Sequence, residues 1–132
     1  MRYSPGLVLF ACLLAFTSCD PGHFGDMFVR NTSAQALRLN YSSNRADGSM
    51  VIPPDTLVHI YHFGSLGAGE NYDCCSCEFL SVALAPVDTT LLLTKDPLDR
   101  HNWELTNPNT WRFSSKTITC EFVVTDADIT PK

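Results

Sequence analysis

The chain has 132 residues, of which fourteen are acidic and nine basic, for a net charge of −5. That length bounds it to one domain with a single buried core. The acidic balance excludes binding nucleic acid through charge, which needs a basic face that releases counterions.

The first segment carries one charge, Arg2, followed by an uninterrupted apolar run over residues 7–16. A membrane span needs about 20 apolar residues, so this run reads as the hydrophobic part of an export signal. Where it stops, Phe16-Thr17-Ser18-Cys19 resembles the lipobox of bacterial lipoproteins. The resemblance implies removal of residues 1–18 and lipidation of Cys19. Several acyl chains at about 0.8 kcal/mol per buried methylene would then hold the protein to a membrane. The alternative is an ordinary cleavage site beside a free thiol. Asp20 follows the cysteine; an acid there resembles an inner-membrane retention signal in some bacteria and a surface-export signal in Bacteroidota-type lipoproteins. We place the chain in the cell envelope, lipid-anchored to the outer membrane on its periplasmic or surface face. Without Arg2, eight basic residues face fourteen acidic ones, a net charge of −6.

Residues 19–25 read as a lipidated tether rich in Gly and Pro, and residues 26–132 as one β-rich domain. Beyond the tether the hydrophobic period is two. Leu37, Leu39 and Tyr41 alternate with Arg38 and Asn40. Ile118, Cys120, Phe122 and Val124 alternate with Thr119, Glu121 and Thr125, as an antiparallel strand with one wet face requires. Further strands are predicted at 27–31, 57–63, 79–85 and 90–94. Turns are predicted at Asp47-Gly48, Pro53-Pro54, 64–69 and Pro86. Asp96-Pro97-Leu98-Asp99 supplies a cap and an N1 proline for one helical turn. This many short strands predict an all-β fold, a small antiparallel β-sandwich of the Ig-like, Greek-key type.

The lipobox, the alternating segment 36–41, the Asn102-Trp103 pair and a closing strand over 121–128 together resemble small Bacteroidota-type lipoproteins of unknown function. That resemblance implies a β-sandwich and carries no catalytic residue. Asp55-Thr56-Leu57 and Asp88-Thr89-Thr90 resemble the short O-glycosylation motif of the same bacteria, with Thr56 and Thr89 as acceptors. Turn chemistry at a strand entrance explains the same residues.

Four cysteines remain: Cys74, Cys75, Cys77 and Cys120. In an oxidising compartment they predict two disulfides. Pairing Cys74 with Cys75, or Cys75 with Cys77, makes a tight ring, so Cys74 with Cys77 and Cys75 with Cys120 is the expected connectivity. Two other readings stay open. Four thiolates are a structural zinc set, with His59 and His62 upstream, although residues three apart on a regular strand point to opposite faces. Cys74 and Cys77 also have redox Cys-x-x-Cys spacing, but no helix pattern follows them.

Trp103, Trp111 and Phe113 could form a contact surface, with core packing as the alternative. Ser65 in Gly64-Ser65-Leu66-Gly67 is not a nucleophile elbow, and no phosphate loop or zinc-protease helix occurs. We therefore expect no enzyme, no catalytic residue, no cofactor and no bound metal. The expected function is a lipid-anchored, non-enzymatic structural or binding module, with the membrane and an envelope protein as partners. The alternative is a lipoprotein inhibitor or immunity protein that blocks a hydrolase.

Overall fold

Alternation of apolar and polar side chains decides where most strands run. The computed structural model describes residues 23–65, 74–106 and 116–132. The predicted signal segment, Cys19, residues 66–69 of a predicted turn, Trp111 and Phe113 lie outside them. Nine strands occur among the described residues: β1 (His23–Asn31), β2 (Leu37–Ser43), β3 (Asp47–Ile52), β4 (Thr56–Ser65), β5 (Phe79–Pro86), β6 (Leu91–Leu93), β7 (Trp103–Thr106), β8 (Lys116–Val124) and β9 (Ile129–Pro131). They form a four-stranded sheet in the order β4-β1-β8-β7, a three-stranded sheet β3-β2-β5 and a small pair β6-β9. The two larger sheets pack face to face, so the fold is the all-β sandwich that the alternation predicts.

β8 departs from the antiparallel expectation. It runs antiparallel to β7 but parallel to β1. A parallel pair needs a crossover connection, and here the chain from β2 to β7 supplies it. Because β8 lies inside the sheet, its outward Thr119, Glu121 and Val123 are only half exposed.

Several segments expected to be irregular belong to strands, among them Pro86, which closes β5. Residues 23–25, expected as the end of a tether, open β1, and Asp47-Gly48, expected as a turn, opens β3. The turn falls earlier, where the Ser43 hydroxyl accepts the Ala46 amide at 3.0 Å and donates to the Ala46 carbonyl at 2.9 Å. Both glycines sit under a cross-strand ring, Gly25 under Phe63 and Gly48 under Tyr41, where a Cβ would collide. In a strand, glycine marks such close approach as readily as it marks a turn. Gly64, expected in a turn, likewise lies inside β4.

The predicted helical turn forms one step later. Asp96 Oδ1 accepts the Leu98 amide at 2.8 Å, and Asp99 caps a 3₁₀ turn, Arg100–Asn102, by accepting the His101 amide at 2.9 Å. β7, which is not among the predicted strands, follows directly. The predicted strand over 121–128 ends at Val124; a Thr125/Asp128 capping box then starts a 3₁₀ turn that leads into β9.

Between the sheets, Met27, Leu37, Ile52, Ile118, Cys120, Phe122 and Val124 are fully buried. An aromatic chain crosses the layer. Tyr41 stacks on Tyr61 at 5.8 Å, Phe79 lies 5.9 Å from Tyr61, Trp103 lies 5.7 Å from Phe79, and Phe122 lies 5.2 Å from Trp103. Trp103 donates Nε1–H to the Pro97 carbonyl at 2.8 Å, so its polar group is satisfied where it is buried.

One polar side chain lies in this layer with no exposure, Asn31 at the end of β1. Its Nδ2 donates to the carbonyls of Gln35 at 2.8 Å and Pro53 at 3.0 Å, and its Oδ1 accepts from the Ser33 amide and hydroxyl at 3.1 and 2.7 Å. It thereby ties the β1–β2 crossing to the β3–β4 turn.

Candidate functional site

The outward face of the four-stranded sheet gathers side chains that the sequence leaves far apart. On β1, register places Phe24, Asp26, Phe28 and Arg30 outward; on β4, Leu57, His59 and His62 join them. On a regular strand His59 and His62 would point to opposite faces. A β-bulge prevents this: Met27 pairs with Tyr61 while Phe28 pairs with His59, which leaves Ile60 as the extra residue. Ile60 and Tyr61 both turn into the core, each about 7% exposed, and the histidines on either side of them both turn out. The bulged Ile60 carbonyl accepts the Tyr41 hydroxyl at 3.2 Å, a tie from the other sheet that holds the irregularity.

Asp26 stands between the two imidazoles. Its Oδ1 lies 2.9 Å from His59 Nε2 and 3.1 Å from His62 Nδ1. Partial burial pushes the Asp26 carboxyl up, but the hydrogen bonds from His62 and His59 outweigh it, and the carboxyl is held below its ordinary value. Phe24 stacks parallel to His62 at 6.2 Å, and Phe28 is tilted against His59 at 5.1 Å. Further along the face Arg30 pairs with Glu121 on β8, and Glu104 of β7 lies beside Glu121 in the register. The face is thus an aromatic and imidazole row around one carboxylate, continued by an ion pair. Such a surface can stack planar groups and donate and accept hydrogen bonds.

The cysteines lie elsewhere. Disulfides join Cys74 to Cys77 and Cys75 to Cys120, with Cα separations of 5.4 and 5.7 Å, inside the usual range for a disulfide. All four sulfurs are consumed, which removes the zinc tetrad considered from the sequence. Cys120 faces the core while His59 and His62 face out, so the sheet itself separates the two groups. Among the described residues no three His, Cys, Asp or Glu side chains are placed to hold a metal ion. The segment after Cys75 does turn, but only as a single 3₁₀ turn, Ser76–Glu78. Beside it, burial and the nearby charge of Glu78 push the Tyr61 phenol up to about 12.

Of the remaining sequence-stated positions, Thr56 is half-buried and donates its hydroxyl to the Pro53 carbonyl at 2.7 Å, just after Asp55 takes a left-handed backbone at φ 52°. Thr89 is exposed in the turn between β5 and β6. There Asp88 Oδ1 accepts the Thr90 amide and hydroxyl at 2.9 and 2.7 Å, bonds that hold the Asp88 carboxyl low. Trp103 belongs to the core and not to a contact surface. Ser65 closes β4. No protein-family model, curated protein or solved structure matches the chain.

Proposed function

We propose that the protein is a lipid-anchored, non-enzymatic module of the cell envelope that works by contact, with the outward face of the four-stranded sheet as its contact surface. The observation that carries this reading is the β4 bulge. It turns His59 and His62 to the same side of the sheet, beside Asp26, Phe24 and Phe28. A strand bulge next to a cluster of partly exposed polar and aromatic groups is the usual way a sheet aims side chains at a partner.

The tether supports the same reading. β1 begins at His23, four residues after Cys19. A fully extended chain of that length reaches about 14 Å, so lipid on Cys19 would hold the Phe24 end of the face close to the membrane surface. Two disulfides agree with an oxidising compartment outside the cytoplasm.

The test is capture from solubilised envelopes, comparing the native chain with a Phe24→Ser/His62→Ser variant of unchanged circular dichroism. The expected result is an envelope protein captured by the native chain and lost by the variant. Equal capture by both would overturn the assigned face. Capture of a secreted or foreign hydrolase in place of an envelope protein would point to the inhibitor reading. Separately, Cys19→Ala should move the protein out of the membrane fraction, and its retention there would overturn the anchor.

A further inference from the structure

The two disulfides occupy opposite environments. Cys75 and Cys120 are 2% and 0% exposed and sit in the core between the sheets. Cys77 is exposed and Cys74 half-buried, at the surface of the 3₁₀ turn Ser76–Glu78. Thiol–disulfide exchange needs an attacking thiolate in line with the sulfur it attacks, so access decides which bond can react in the folded protein.

We infer that the Cys74–Cys77 bridge is a thiol-exchange site, open to reduction by a dithiol of the thioredoxin-like class in the native fold, while Cys75–Cys120 holds the sandwich together throughout. The sulfur of the more exposed residue, Cys77 Sγ, is the one attacked. The incoming thiolate forms a new S–S bond to it, the Cys74–Cys77 bond breaks, and the electron pair leaves on Cys74 Sγ. The second thiol of the reductant, once deprotonated, then attacks the mixed disulfide and releases Cys77 as a thiolate. The two sulfurs of the chain take up two protons, and the reductant leaves as its own disulfide. A built feature favours that order of events. The Ser76 hydroxyl lies 3.7 Å from Cys74 Sγ and can donate to the thiolate that departs there. Reopening the bridge leaves the β-sheets untouched, because neither sulfur belongs to a strand and the cross-layer bond remains.

The experiment titrates the native protein, purified without reductant, with dithiothreitol. Free thiols are trapped with N-ethylmaleimide, and the adducts are located by peptide mapping so that each of the four cysteines is scored separately. Adducts on Cys74 and Cys77 alone, with unchanged circular dichroism, are expected; those on Cys75 and Cys120 should need urea as well. Labelling of Cys75 and Cys120 in the same step would overturn the inference, as would no labelling of Cys74 and Cys77 short of unfolding. Glutathione, a monothiol, should be found on Cys77; finding it on Cys74 would reverse the assigned direction of attack. Ser76→Ala should slow reduction about fivefold, the effect of losing one modest hydrogen bond, and an unchanged rate would remove Ser76 from the site.

Discussion

The same four strands make both faces of the β4-β1-β8-β7 sheet, and the two faces follow different physics. Inward, Met27, Ile118, Cys120, Phe122 and Val124 have no exposure, and the one polar side chain among them, Asn31, has partners for both its donor and its acceptor atoms. Outward, Asp26, His59 and His62 hold one another in water, where such pairs contribute little to stability. Stability therefore belongs to the inward face, and the outward one is free to serve contact. A substitution on either face reports on one property while leaving the other nearly intact.

The sharpest break of the inward face is removal of the cross-layer disulfide. Cys75–Cys120 joins residues 45 apart, and the chain-entropy model gives about 4 kcal/mol for closing a loop of that length. Cys75→Ala/Cys120→Ala should lower the urea-unfolding free energy by that order. Cys74→Ala/Cys77→Ala, which opens a ring between residues three apart, should cost less than about 2 kcal/mol. Equal losses in the two variants would show that the environments of the bonds do not separate their roles. Asn31→Ala comes next. It removes one of the donors to each of the Gln35 and Pro53 carbonyls and the acceptor of the buried Ser33 amide, and about 1–3 kcal/mol should be lost in the same assay.

Gly25→Ala probes the boundary between the faces, since its methyl group would meet the Phe63 ring. Phe63 is itself buried, so the ring has to move within a packed layer, at about 1–3 kcal/mol. Gly48→Ala should behave alike and should also disturb the Tyr41 hydrogen bond to the bulged Ile60 carbonyl. A thermal melt unchanged from the native chain in both variants would show that the rings relax without cost.

These glycines also show what a sequence makes legible. The alternation at 37–41 and 118–124 reads directly as strands, because side-chain period is local and needs no knowledge of the partner. The cysteine pairing follows from ring size, which is local too. Gly25 and Gly48 resemble turn residues until the cross-strand rings above them are seen. The bulge at Ile60 depends on two strands being in register, so the run from His59 to His62 carries no sign that both histidines share a face. Asn31 looks like any strand-end asparagine, and its burial is set by the β1–β2 and β3–β4 connections that close around it. Each of these features is a relation between segments, which no single stretch of sequence carries.

The smallest predicted effect lies on the outward face and concerns pH. Asp26 is held below its ordinary carboxyl value of 3.8 by His62 and His59. A carboxyl with a lowered folded-state pKa contributes stability that is fully present above the unfolded value and disappears as pH falls through the folded one. The loss tied to Asp26 thus lies below about pH 4, and Asp26→Asn should flatten the dependence of melting temperature on pH in that window. Asp88 and Asp99, held low by Thr90 and His101, titrate in the same direction and will leave a residual slope. At neutral pH the variant should melt within a degree or two of the native chain, as expected for a surface pair. A large loss at neutral pH would mean that the outward cluster supports the sheet and is not free to serve contact, and the division between the two faces would then fail at its most exposed residue.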